Sequence, residues 1–538
     1  MRRKNIVKTV PKTKGNIIVT LLRMLLLKEE REKSLETLLR YGKKVFIFAS
    51  ILLVVTSVVV RIIMYVKCRS LWLDEALLAE SIVSRNWLEL LVPPLSNDQS
   101  APVLYVIAVK LIGALFGYSE FSLRVFSLLA LVGLLICETV LMKKVFNFNN
   151  YQIAFVVVMS ALLPSYILYS NELKPYMSDA FFAVLTILLY FYYTRRKIKL
   201  PVLTVLYIII LGFSSPGIFF VGGALFYEFL IAVFHKDKKN IICISLSGAV
   251  ILALFGVYYQ WWLSSVSETM GTIWNSQGES AKVIIYNVLE VFTGHQNRRV
   301  DYPLILAFIP FALLGFYSLR QKNKIVYSIG LSVFFAFLAS AIGKWPLVAR
   351  LWLFLPVMVL IFTPAGLGFI NDKIKWKNFA GFVELVLLFV IVVHASIDCV
   401  GYVNDDKFYI SSQEINPLIQ YVKENIKEDE KLYVYPPAKF ALNYKNGYGS
   451  TKIGNVTKDN IIYGIDKNEW KESAIGKEYV SILENEKTYL IFQHHHTGIN
   501  NGLAVLQKFG TLTLVMNVYN TPLFYFKRNN QQSTPAEQ

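Results

Sequence analysis

Charge is scarce in this chain. Asp, Glu, Lys and Arg supply 17% of its 538 residues and hydrophobic residues 55%, where a soluble domain carries about 25% and about 45–50%. The deficit is concentrated in blocks. Segments 45–66, 122–142, 151–170, 176–193, 200–234, 241–262, 303–319, 325–342, 350–369 and 379–396 are nearly free of charge. An α-helix needs about 17–25 apolar residues to cross ~30 Å of hydrocarbon, so these blocks exclude a soluble enzyme, a fibre, a disordered chain and a β-barrel. Cysteine is also scarce. Cys68, Cys137, Cys243 and Cys399 are scattered and lack CxxC spacing, which rules out a disulfide framework and gives no zinc or redox signature. No GxGxxG turn or phosphate loop stands between the apolar blocks, and there is no repeat or low-complexity tract.

Positive charge is abundant, at a formal +18, but its placement argues against nucleic acid. Residues 1–44 hold 13 Lys/Arg and 4 Glu, a net of +9, while residues 401–538 hold 15 basic and 15 acidic side chains. Segment 1–44 reads as a basic amphipathic segment on the cytoplasmic face, drawn to anionic lipid. The short loops Lys143–Lys144, Arg195–Lys199, Lys236–Lys239, Arg320–Lys324 and Lys373–Lys377 hold 15 Lys/Arg; the alternate loops 171–175, 214–217 and 343–349 hold only Lys174 and Lys344. The positive-inside rule puts the first set in the cytoplasm with the N-terminus. That parity works only if 102–117, which is 16 residues long and carries Lys110, lies flat at the outer surface. The expected architecture is a polytopic α-helical membrane protein of about 11 transmembrane helices. It comprises a membrane domain over 45–400 with outer loops 67–121 and 263–302, then a small extracytoplasmic α/β domain over 401–538. In that tail the pattern predicts helix 411–428, strand 431–435, helix 476–485, strand 488–493, helix 499–508 and strands 511–519 and 522–527.

Polar residues cluster where the outer loops begin. Leu71-Trp72-Leu73-Asp74-Glu75 opens the first, and two acids there suit a helix cap, a general base or a metal ligand. Asn97-Asp98-Gln99-Ser100-Ala101-Pro102 leads into the surface helix, which closes on Gly117-Tyr118-Ser119-Glu120-Phe121-Ser122-Leu123-Arg124. Tyr169-Ser170-Asn171-Glu172-Leu173-Lys174-Pro175-Tyr176 makes an outward turn. Charges at such a depth are costly and mark function by default. Cations able to meet an anionic group on the outer side are Lys174, His295, Arg298, Arg299, Lys344 and Arg350, which the pattern places at the start of a span. His494-His495-His496 alternates faces on a strand and reads as a strand end packing toward the membrane domain. Trp261-Trp262 and Tyr258-Tyr259 read as an interfacial belt.

W-x-D-E after the first span, F-G-x-S-E-F-x-x-R, then Y-S-x-E-x-[RK]-P-Y, in that order, resemble a bacterial family of membrane glycosyltransferases. It is the GT-C group related to protein O-mannosyltransferases and the lipid A aminoarabinose transferase. The motifs cover about residues 67–180; Asn171 and Lys174 stand where relatives often carry Gln and Arg, and Lys loses bidentate contact. The resemblance implies a polyprenyl-phosphate sugar as donor, an envelope acceptor (lipid, polysaccharide or protein), and a single inverting displacement. It makes Asp74 the catalytic carboxylate and gives Glu75 the task of orienting it or binding the acceptor. Glu172, Lys174, Tyr176, His295, Arg298 and Arg350 are the substrate-binding candidates. The family leaves a divalent metal (Mg2+ or Mn2+) open, with Asp74 and Glu172 as its ligands. A transporter or flippase of lipid-linked glycans is the competing reading. It calls for half-repeats and mid-span charges, and Glu138, Glu228 and Glu384 are the few such charges.

Overall fold

A computed structural model of the chain describes residues 28–93, 95–96, 99–263, 281–293, 302–321, 323–373, scattered positions between 383 and 404, 413–447, 452–464, 477–495 and 499–529. Its membrane part is helical: α1 (Lys28–Lys67), α2 (Leu73–Ser84), α3 (Val103–Phe116), α4 (Glu120–Lys144), α5 (Asn150–Leu162), α6 (Pro164–Tyr169), α7 (Tyr176–Thr194), α8 (Leu200–Phe213), α9 (Gly217–Phe234), α10 (Lys238–Tyr258), α11 (Ala281–Thr293), α12 (Tyr302–Arg320), α13 (Ile325–Ala341) and α14 (Leu355–Lys373). Among the described residues six helices are long and apolar enough to cross a membrane, those over 44–67, 120–144, 176–194, 217–234, 238–262 and 355–373. Large apolar side chains stay exposed along them, among them Phe48, Ile51, Val55 and Ile62 on α1 and Leu246, Leu252 and Val257 on α10, which is how a surface meets lipid rather than water. The chain is a multi-pass membrane protein. Ten of the eleven expected segments fold as helix; 379–396 lies mostly outside the described residues.

Prolines reshape three of those segments. Pro164 opens α6, and Leu163 before it is extended (φ −61°, ψ 124°), because a proline pushes its predecessor out of the helical region. The expected span 151–170 is therefore two helices. Ser214-Ser215-Pro216 separates α8 from α9. Near the other end Pro356 stands in the first turn of α14, so the span begins at Leu355, and Arg350 lies in a short 3₁₀ turn, Ala349–Trp352, just before it. That corrects the expected start at 350 and takes Arg350 off the span. Gly315 of α12 and Gly366 of α14 face each other's backbone so closely that a Cβ on either would collide with a carbonyl, a close approach that small residues permit and that seats α14.

The expected surface helix is α3. At 14 residues it spans about 21 Å, short of the bilayer core. Its Lys110 is buried, and Nζ donates to the carbonyls of Ile82 (2.7 Å) and Arg85 (2.6 Å). The lysine thus closes the C-terminus of α2, as a cation does best there. Gly117 takes φ +82° and Ser119 caps α4, so the G-x-S of the second motif is a stop and a start.

The tail forms α15 (Asn416–Asn425), β1 (Lys431–Val434), α16 (Ala438–Asn446), β2 (Lys452–Ile453), β3 (Val456–Thr457), β4 (Ile461–Tyr463), α17 (Lys477–Leu483), β5 (Lys487–Ile491), α18 (Ile499–Phe509), β6 (Gly510–Val518) and β7 (Thr521–Arg528). Five strands make one sheet in the order β4-β1-β5-β7-β6. β1 is parallel to β4 and β5, and β7 is antiparallel to β5 and β6. Its apolar residues pool with those of the first loop: Ala76, Leu78, Ala79, Ile82, Tyr105 and Val106 share a core with Leu432, Tyr433, Leu442 and Leu490. Each large side chain so buried contributes ~1.5–3 kcal/mol. The sheet therefore holds α2 and α3 against the bundle.

Candidate active site

The three motifs meet. Glu75 is fully buried and accepts from every side. Arg124 grips it with Nε to Oε1 (2.9 Å) and Nη2 to Oε2 (2.6 Å). The Leu173 N–H donates to Oε1 (2.7 Å), Trp72 N–H to Oε2 (3.3 Å), and Arg69 Nη1 stands 3.6 Å from Oε2. Burial alone would raise this carboxyl's pKa, but Arg124 and then Arg69 outweigh it and hold it below the usual carboxylate range. Glu75 thus ties the first turn of α2 to α4 and to the 171–175 turn. The capping reading applies to this acid, which reaches back to its own helix start.

Around this pair the backbone is fixed. Arg124 also donates to the carbonyls of Arg69 (2.9 Å) and Ser70 (3.2 Å). Arg69 Nη2 meets Glu172 Oε1 at 3.1 Å. Ser127 Oγ donates to the carbonyls of Glu172 (2.6 Å) and Lys174 (3.1 Å). The tail completes the frame: Glu414 accepts from Ser70 N–H (3.0 Å) and from its hydroxyl, Gln413 Oε1 from Leu73 N–H (3.2 Å), and Gln493 Nε2 donates to Gln413 O (2.8 Å). Gln413 in turn contacts His494 Nδ1. His494 and His495 follow the end of β5, with His495 Nε2 2.7 Å from Asn520 O; His496 is outside the described residues.

Asp74, one residue away, looks the other way. Its side chain is 25% exposed and its Oδ2 lies 3.4 Å from Arg350 Nη1; that guanidinium also sits over the Trp72 ring. Lys174 is buried, with Nζ donating to Gln99 Oε1 at 2.7 Å. Burial pulls its pKa down to about 8, against the opposing pull of Asp74. Arg350, Glu75 and Glu172 also act on this ammonium. Tyr169 and Tyr176 pack edge to face beneath (centroids 5.4 Å), within electrostatic reach of Arg350. α11, from the second long loop, packs on the Arg350 turn and on α6.

Asp74, Glu75, Glu172, Lys174, Tyr176 and Arg350 thus converge; Lys344 is exposed at the end of α13. His295, Arg298 and Arg299 lie outside the described residues. Sequence reasoning missed Arg69, whose signal was a basic residue at the wrong end of the first span for the charge rule. It quoted Arg124 and Gln99 without a role, and no local pattern marked Gln413, Glu414 or Gln493. Four cations (Arg69, Arg124, Lys174, Arg350) surround three carboxylates. Such a donor set does not fit a divalent metal, because each carboxylate already faces a guanidinium; among the described residues no three His, Cys, Asp or Glu gather as ligands. The surplus of positive charge, one partly open carboxylate and two aromatic walls fit an anionic headgroup joined to an uncharged or polar group.

No family model and no curated protein matches the sequence. The solved structures that it resembles include ArnT from Cupriavidus metallidurans in the apo state, with a TM-score of 0.45 at 12% identity over 88% of this chain and 97% of that one. The same protein bound to undecaprenyl phosphate gives 0.48 at 12% identity over 90% of this chain and 99% of that one.

Proposed function

We propose that this protein is a membrane glycosyltransferase that moves a sugar from a polyprenyl-phosphate carrier to an envelope acceptor on the outer face of the cell membrane. The observation that carries the reading is the pairing of Asp74, a quarter exposed, with Arg350 and Lys174, while its neighbour Glu75 is locked into the frame. The motif resemblance supports the same assignment. The excess of Lys and Arg in the loops 143–144, 195–199, 236–239 and 320–324 supports an outward-facing site, because the turn 171–175 belongs to the alternate set of loops.

The chemistry follows from the charges. A donor phosphate competes for Arg350, which binds phosphate with two parallel hydrogen bonds, and frees Asp74. Asp74 takes the proton of an acceptor hydroxyl as that oxygen forms its bond to the anomeric carbon. The bond from that carbon to the phosphate oxygen breaks, the configuration inverts, and the charge left on the phosphate is met by Arg350 and Lys174. Glu75 orients the first turn of α2; with its acceptor sites occupied it does not reach the acceptor substrate. Glu172, held by Arg69, fixes the turn that presents Lys174.

Mass spectrometry of envelope lipids and glycans from a deletion strain tests this reading. One sugar is expected to be missing, restored by the wild-type gene and not by Asp74→Asn. A missing sugar with its lipid-linked form accumulated on the cytoplasmic side, rather than on the outer side, would favour the flippase reading instead.

A further inference from the structure

A second polar cluster lies next to the pocket, and the mechanism above leaves it unused. Asp179, one turn into α7, is 4% exposed; Tyr105 of α3 and Ser214 at the end of α8 are wholly buried. Asp179 Oδ1, Tyr105 OH and Ser214 Oγ complete no hydrogen bond among the described residues, although Ser214 lies close enough to act on the carboxyl. Tyr105 stands beside Ser127, whose one proton goes to the 171–175 turn and whose oxygen is left as the acceptor nearest the phenol. Asp179 reaches Tyr105, Tyr176 and Tyr258 electrostatically, and Tyr176 in turn feels Asp74 and Arg350. Tyr258 stacks on Trp262, whose indole donates to Ala101 O at the start of α3 (2.9 Å).

Three buried groups short of partners at one place are unusual, because buried polar atoms are almost always paired, and a carboxylate at this depth is expensive without a counterpart. Tyr176 lies within electrostatic reach of Asp179 on one side and of Asp74 and Arg350 on the other, so the cluster stands beside the Asp74 site. Resting on the transferase reading, we propose that Asp179, Tyr105 and Ser214 form the subsite for the donor's sugar ring. A hydroxyl or ammonium substituent of that ring donates to Asp179 while the phosphate sits at Arg350 and Lys174. A hydroxyl would complete the open acceptor; an ammonium would also balance the charge.

The test uses the full chain in lipid nanodiscs, with undecaprenyl phosphate as the sugarless probe and undecaprenyl phosphates bearing a hexose, a pentose or an aminosugar as donors. Asp179→Ala is expected to bind undecaprenyl phosphate within about twofold of wild type yet to lose about tenfold or more in kcat/KM on the preferred donor, the weight of a hydrogen bond to a charged group. Tyr105→Phe should lose less, in the same direction. Asp179→Asn, which still accepts, keeps most activity if the substituent is a hydroxyl and loses it if an ammonium. Unchanged kcat/KM in Asp179→Ala, or an equal loss of undecaprenyl phosphate binding, overturns the subsite. Should the Asp179 variants melt well below wild type, unchanged kcat/KM in Tyr105→Phe overturns it. No transfer by wild type from any of the donors removes the transferase reading and the subsite with it.

Discussion

The two halves of the charged site are built on different terms. On the inner side Glu75 and Arg124 are 0% and 4% exposed and every acceptor position of the carboxylate is taken. On the facing side Asp74 and Arg350 are about a quarter exposed and joined by one contact at 3.4 Å. Adjacent acids in one helical turn thus serve opposite ends. The closed side fixes geometry, and the open side keeps charges available, because a group spent on the protein cannot act on a substrate. Site precision of this kind comes from a rigid supporting shell.

Breaking the closed side should cost most in stability. Glu75→Ala leaves Arg124 buried without its ion-pair partner and Arg69 with Glu172 alone, and ~3–5 kcal/mol is expected to be lost, read as a fall in melting temperature in detergent; a melt unchanged from wild type would mean that the pair holds nothing. Arg350→Ala acts on the open side, so it should leave the melt in place and weaken undecaprenyl phosphate binding by about 10- to 100-fold. Titration sharpens the same contrast. Lys174 loses its charge as pH rises through about 8, so donor KM should climb above that pH, and Lys174→Arg, which stays charged, should abolish the climb. The sign is opposite for stability. A lysine whose folded pKa is depressed binds fewer protons folded than unfolded between about 8 and 10.5, so stability rises across that window. The smallest effect belongs to the tail: Glu414→Gln keeps part of the contact to Ser70 and should lower kcat only a few-fold, by ~1 kcal/mol. A loss as large as that of Asp74→Asn would move Glu414 into the chemistry.

Much of this is legible in the sequence. Apolar blocks marked ten helices, and alternation in the tail placed strands such as 488–493 within a residue or two of β5. Local signals failed where the determinant was non-local. Pro164 split a segment that hydropathy read as one, and α16, β4 and the β2–β3 hairpin lacked a strong period of their own. In the site, the motifs and the resemblance they carry group Asp74, Glu172 and Lys174 and give Asp74 and Glu75 different tasks, yet neighbouring letters do not say which acid faces Arg124. The tail residues Gln413, Glu414 and Gln493 touch the loop from 340 or more positions away, a distance no pattern in one sequence encodes.

Asp74→Asn decides the central claim most directly, measured in nanodiscs by undecaprenyl phosphate binding and by single-turnover transfer from a sugar-loaded donor. Binding equal to wild type with transfer reduced about 10²- to 10⁴-fold, the worth of a positioned base, is the predicted result. Transfer at the wild-type rate would contradict it.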